Sequence, residues 1–214
     1  MKRIIFYALI ACVLSSSALA GFDEGVAAYQ AGDLPLAVKE FRSAAEEGDA
    51  DGQFNFALMH ERGIGVPKNE QEAVAWYRKS AEQGSSNAQY NLAVMYENGR
   101  GCAVDFTQAN HWYRKAAVQG DGLAVGNLGM LYLRGEGVEK DEVAGLALLL
   151  RSVMLDGSPG NNARQNISGA RGLAPETIKA AEVLASEMGG ADNLLTPLDR
   201  YLDDTRPNAA SASE

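Results

Sequence analysis

Histidine and cysteine carry much of the acid–base, nucleophilic and metal chemistry available near neutral pH, and this chain of 214 residues holds two of each: His60, His111, Cys12 and Cys102. No cysteine pair, His-x-x-x-His or Glu-rich spacing accompanies them, so no metal site and no cofactor are expected. His60 shares a position with Tyr96 and Tyr132, and His111 with Ala75 and Ala147. Both read as variations at structural positions, and no catalytic residue is assigned. Three Gly-x-Gly triplets, at 63–65, 99–101 and 135–137, follow helical patterns rather than strands and lack a third glycine or a Lys-Ser/Thr pair. They read as turns, not phosphate cradles. With 28 acidic against 19 basic residues and a net charge of −9, the chain is a poor ligand for a polyanion, so no nucleic-acid partner is expected. One recurrent group does offer recognition chemistry. Asn55, Asn91 and Asn127 stand 36 residues apart, and an amide both donates and accepts hydrogen bonds.

That spacing belongs to a repeat. Gly63, Gly99 and Gly135 recur at 36, as do Gly65, Gly101 and Gly137, and Trp76 and Trp112 head the matching words WYRKSAEQG and WYRKAAVQG. In the unit from Asn87 to Gly120, Tyr90, Leu92, Ala93, Met95 and Tyr96 fall at helical spacing, and so do Phe106, Ala109, Trp112, Tyr113, Ala116 and Ala117. Each unit therefore reads as two antiparallel helices. Asp33, Asn69, Asp105 and Asp141 precede the second helices and are predicted N-caps, with Glu72 and Gln108 placed to complete capping boxes. Gly48, Gly84 and Gly120 close the second helices, where the chain turns through a left-handed conformation. Trp76, Tyr77, Trp112, Tyr113 and Tyr132 read as core. Arg78, Lys79, Arg114 and Lys115 lie near helix C-termini, where cations are favoured.

The words NLAVMYENGRG and HWYRKAAVQGD, with their counterparts FALMHERGIGVPKNEQEAVAWYRKSAEQG and NLGMLYLRGEGVEKDEVAGLALLL, resemble the Sel1-like repeat, a relative of the tetratricopeptide repeat, in its exported bacterial form. The resemblance covers about residues 50–157. It implies an all-α fold, a right-handed superhelical α/α solenoid of about five helix-turn-helix units, and a function in binding other proteins. Some cysteine-rich members of that family are associated with β-lactamase or penicillin-binding activity, but they carry a cysteine pair in each repeat and this chain does not.

In chain order, residues 1–20 have a basic start, a short apolar run and the ending Ala18-Leu19-Ala20, the pattern of a secretory signal peptide cleaved after Ala20. Losing Lys2 and Arg3 with it takes the net charge from −9 to −11. Leu9-Ile10-Ala11-Cys12 also resembles a lipobox, in which Cys12 would anchor the chain to a membrane. Residues 21–49 read as an N-terminal capping helix pair, 50–85, 86–121 and 122–157 as repeats, and 158–188 as a degenerate C-terminal capping pair. In that last pair, helices are expected near 161–170 and from Pro175. The 189–214 stretch reads as a mostly flexible tail, with one short amphipathic turn around Leu194 to Leu202. Cys102 takes the loop position of Val66 and Val138, so it is either a small apolar residue or a reactive or intermolecular thiol.

By analogy with tetratricopeptide units, first helices line the concave side, and the asparagine column is proposed as a ladder that grips the backbone of an extended peptide. Phe54, Leu58, Glu61, Arg62, Tyr90, Val94, Glu97, Asn98, Met130 and Arg134 flank it. The competing role for the asparagines is to bond the adjacent helix or loop and maintain stacking. The expected function is a non-enzymatic, periplasmic or secreted scaffold binding a peptide or partner protein. The alternatives are a hydrolase of cell-wall or β-lactam substrates and a lipid-anchored envelope scaffold.

Overall fold

The computed structural model describes residues 21–158, 160–169 and 172–206. The expected signal peptide, its cleavage point at Ala20, the candidate anchor Cys12 and the end of the tail from 207 lie outside them. Among the described residues all regular structure is helical: α1 over 21–31, α2 Leu34–Glu46, α3 Ala50–Arg62, α4 Glu70–Glu82, α5 Ser86–Asn98, α6 Phe106–Val118, α7 Gly122–Arg134, α8 Glu142–Leu155, α9 Ala163–Gly169, α10 Pro175–Gly190 and α11 Thr196–Thr205. The chain divides into two compact units between Val104 and Asp105.

In unit 1 the helix ends form where the punctuation expects them. Asp33 accepts from the Leu36 amide, and Asn69 accepts from both Gln71 and Glu72, each cap stabilising its helix by about 1 kcal/mol. The capping box at Asn69 is only half made. The Asn69 amide, which the Glu72 side chain was expected to take, donates instead to the His60 carbonyl at 2.9 Å, tying α4 back to α3. A second cap column went unread in the sequence: Asp49, Ser85 and, in unit 2, Asp121 cap the first helices of the three repeats. Gly48 and Gly84 end α2 and α4 with φ of 97° and 100°, a conformation in which a Cβ is penalised.

The core of unit 1 runs through Ala37, Phe41, Ala45, Phe56 and Met59, with Trp76 packed against it. Two buried glutamines extend the stack: Gln53 donates to the Ala45 carbonyl at 3.2 Å and Gln89 to the Ala81 carbonyl at 3.1 Å. Each adds a second donor to a last-turn carbonyl of the preceding hairpin's helix, which already accepts from the Gly48 or Gly84 amide. The Gly-x-Gly turns also do more than reverse the chain. A Cβ on Gly101 would lie 2.2 Å from the Glu70 carbonyl oxygen, so the loop after α5 rests directly on the start of α4. Any side chain there lifts that loop from the preceding repeat.

In unit 2, Asp105 and Asp141 cap α6 and α8. α8 is buried continuously from Ala144 to Leu149, as its uniformly apolar sequence requires. α9 and α10 provide the cover, with Pro175 in the first turn of α10. In the 189–214 stretch, a full helix stands where one short amphipathic turn around 194–202 was expected. Residues 196–205 form a helix on which Leu198 is wholly buried, because Leu195, Leu198, Asp199 and Leu202 share one face and the unit offers charged partners to match.

Candidate binding surface

On α3, Phe54, Asn55, Leu58, Glu61 and Arg62 recur at helical spacing and make one stripe; on α5, Tyr90, Asn91, Val94, Glu97 and Asn98 do the same. None of the ten is buried, although Ala57, Ala93 and Leu92 on other faces of these helices are wholly enclosed. Both helices pack against α4, which places the two stripes within one unit. The third stripe, with Asn127, Met130 and Arg134 on α7, belongs to unit 2 and is likewise half-buried or exposed.

The three asparagines are not equivalent. Asn55 donates to the Asp51 carbonyl of its own helix at 2.8 Å, whereas Asn127 reaches the adjacent helix and donates to the Tyr113 hydroxyl at 2.9 Å. The Asn127 bond is the stacking role; the Asn55 bond is local and leaves its carbonyl side available. Asn98 also donates within its helix, to the Val94 carbonyl at 2.9 Å.

Glu61 is committed to the interior. It accepts from the Tyr77 hydroxyl at 2.6 Å and pairs with Arg100 at 2.9 Å, and Arg100 in turn holds Glu70 at 3.1 Å. Burial, followed by the Glu61 carboxylate, pushes the Tyr77 hydroxyl far above its ordinary value, so it stays a donor. Phe54 lies against the same ring at 5.7 Å between centroids. Glu61 and Phe54 therefore shape the edge of the stripe more than they present groups to a ligand. Arg134 lies 3.5 Å from Glu136.

The remaining candidate chemistry has structural placements. His60 meets Phe56 edge-on at 4.7 Å, with its Nδ1 buried, and burial lowers its pKa. His111 is exposed beside Trp112. Cys102 is half-buried, its thiol 3.6 Å from the Arg100 carbonyl and 3.7 Å from that of Met95. Among the described residues, no three His, Cys, Asp or Glu side chains are arranged to hold a metal ion, and no helix is long and apolar enough to cross a membrane.

The cations of the WYRK words do more than favour helix ends. Lys79 lies over the Trp76 ring at 3.6 Å and Lys115 over Trp112 at 4.8 Å. Arg78 donates to the Tyr96 hydroxyl at 2.5 Å, and one repeat on Arg114 bonds the Tyr132 hydroxyl. The 36-residue interval between Arg78 and Arg114, matched by that between Tyr96 and Tyr132, is the sequence signal that identifies this pairing.

The Sel1 repeat model matches residues 50–85, 86–121 and 123–156. A Sel1 repeat protein from Oxalobacter formigenes is similar at 33% identity and a TM-score of 0.53, over 61% of this chain and 96% of that one. A protective antigen of uropathogenic Escherichia coli with an SLR fold is similar at 26% identity and a TM-score of 0.50; 92% of this chain aligns with it but spans only 50% of that chain. Among curated proteins none matches.

Proposed function

The chain belongs to the Sel1-repeat family, and from that premise we propose that it is an exported scaffold, holding an extended peptide or partner-protein segment against the asparagine-bearing stripes of its first helices. Proteins built from these repeats are generally protein-interaction scaffolds. The observation that carries the reading here is the selective exposure of the stripes, which recur at the same positions in each repeat while the other faces of the same helices are enclosed. Amide groups at a constant interval suit a ligand backbone, because they recognise peptide N–H and C=O groups whatever the ligand's side chains. Asn55 and Asn91 are the residues assigned to that contact, with Leu58 and Val94 supplying apolar surface between them. Export to the periplasm or beyond is supported by the basic start and the Ala18-x-Ala20 ending.

The test is the double substitution Asn55→Ala, Asn91→Ala. Asn127 is left intact because its bond to the buried Tyr113 ties two helices together. Capture of the native partner should weaken while helicity and melting temperature stay unchanged. Undiminished capture would remove the asparagine stripe from the account.

A further inference from the structure

The two Arg–Tyr pairs occupy equivalent positions but have different surroundings. In unit 2, Arg114 pairs with Asp199 of α11, and the Tyr132 hydroxyl sits in the field of both charges. The rest of α11 is fastened to the same hairpin. Tyr201 approaches Asp141 at 3.4 Å, and Arg206 reaches Asp141 at 3.2 Å and the Glu139 carbonyl at 3.1 Å. α11 packs on α10 and turns Asp199 to Arg114, so what the Arg–Tyr pair of this repeat takes is the carboxylate of a short amphipathic helix, here next to the buried Leu198.

Thirty-six residues upstream, Arg78 and Tyr96 present the same groups. Arg78 is exposed, where Arg114 is half-covered, and among the described residues of unit 1 its polar partner is the Tyr96 hydroxyl. Val104 is 54% exposed and packs against the Gly99 turn, one helical turn beyond Tyr96, adding apolar surface at that end of α5. A guanidinium already held by a tyrosine hydroxyl is oriented before a ligand arrives, so less side-chain entropy is lost on pairing it with a carboxylate. At ~100° per residue, Tyr96 lies roughly 140° around α5 from Asn91, so this surface is separate from the asparagine stripe.

We propose that Arg78 and Tyr96 form a docking site for an acidic amphipathic helix of a partner protein, recognised as α11 is recognised by Arg114 and Tyr132. The arrangement gives the scaffold a second mode of capture, directed at a folded helix and independent of any extended peptide.

A labelled synthetic peptide of residues 193–206, carrying a photoreactive group, tests this with the full chain from residue 21. Anisotropy should report saturable binding, with crosslinks mapping to α4 and α5. Arg78→Glu should weaken binding by roughly tenfold or more, and a peptide carrying D199K should recover it on that variant, which separates recognition from misfolding. The Asn55→Ala, Asn91→Ala chain should bind the peptide normally, so failure of the asparagine stripe leaves this result intact. Crosslinks confined to α6–α8, binding indifferent to Arg78→Glu, or no saturable binding would each overturn the proposal.

Discussion

In unit 1 the α3–α4 hairpin is held by rings, Phe56 meeting Trp76 edge-on at 5.5 Å and Phe54 lying against Tyr77 at 5.7 Å. In unit 2 the α7–α8 hairpin brings two glycine backbones together. A Cβ on Gly145 would lie 2.9 Å from the Gly129 carbonyl oxygen and 2.6 Å from Leu133, and a Cβ on Gly129 would lie 2.8 Å from the Gly145 carbonyl. Unit 1 places Ala57 and Ala73, both wholly buried, at the corresponding positions. One repeat pattern thus tolerates two kinds of packing. Aromatic packing leaves ring edges, an exposed arginine and a half-exposed stripe at the surface. Glycine packing, with Leu146, Leu148 and Leu149 buried beyond it, makes a close seat on which α10 packs. The first suits an interaction surface and the second closes the array.

The sharpest contrast lies between the two tryptophans. Trp112 is 6% exposed and Trp76 is half-buried, so Trp112→Ala should cost on the order of 3–5 kcal/mol and Trp76→Ala roughly half as much, by denaturant unfolding. Equal costs would break the distinction. Next, Gly145→Ala should destabilise by about 1–3 kcal/mol through overpacking against Leu133 and the Gly129 backbone. Its counterpart Ala73→Gly should cost about 1 kcal/mol, from backbone entropy in a helix. A smaller difference separates the asparagines. Asn127→Ala removes a partner of the buried Tyr113 hydroxyl and should cost about 1–2 kcal/mol, whereas Asn55→Ala should stay within about 0.5 kcal/mol.

The smallest effect is a pH dependence, carried mainly by His60. Burial, opposed by the Glu72 charge, holds His60 below its ordinary pKa of 6.5, so the unfolded chain binds this proton more tightly than the folded one. Its contribution to stability is complete above that value and is lost as the pH falls below it towards the folded pKa. Replacing His60 with tyrosine, the residue at positions 96 and 132, should flatten the decline in melting temperature between pH 7 and about 5. Burial also lowers the pKa of His111, so some slope should remain.

Much of this architecture is legible in the chain, because the repeat writes each structural requirement several times. The cap residues Asp33, Asn69, Asp105 and Asp141 and the closing glycines Gly48, Gly84 and Gly120 are local signals, read correctly from type and interval. What escapes is whatever depends on another segment. The half-made capping box needs the His60 carbonyl, the Gly101 turn needs the start of α4, and Glu61 is drawn inward by Tyr77 and Arg100. The docking of α11 is harder still to read, because Asp199 and Arg114 are 85 residues apart and no repeat column links them. The stripe itself is legible as a set of positions; the separate bonding of Asn55 and Asn127 is not.

The central claim is that exposed first-helix faces, not reactive side chains, do the work of this protein. A photoreactive amino acid at Val94, on the stripe, compared with one at the exposed Leu36 of α2, tests it in the cells that make the protein. Discrete partner adducts should form from position 94, fade in the Asn55→Ala, Asn91→Ala background and be absent from position 36. Adducts of equal yield from both positions, or none from position 94, would contradict it.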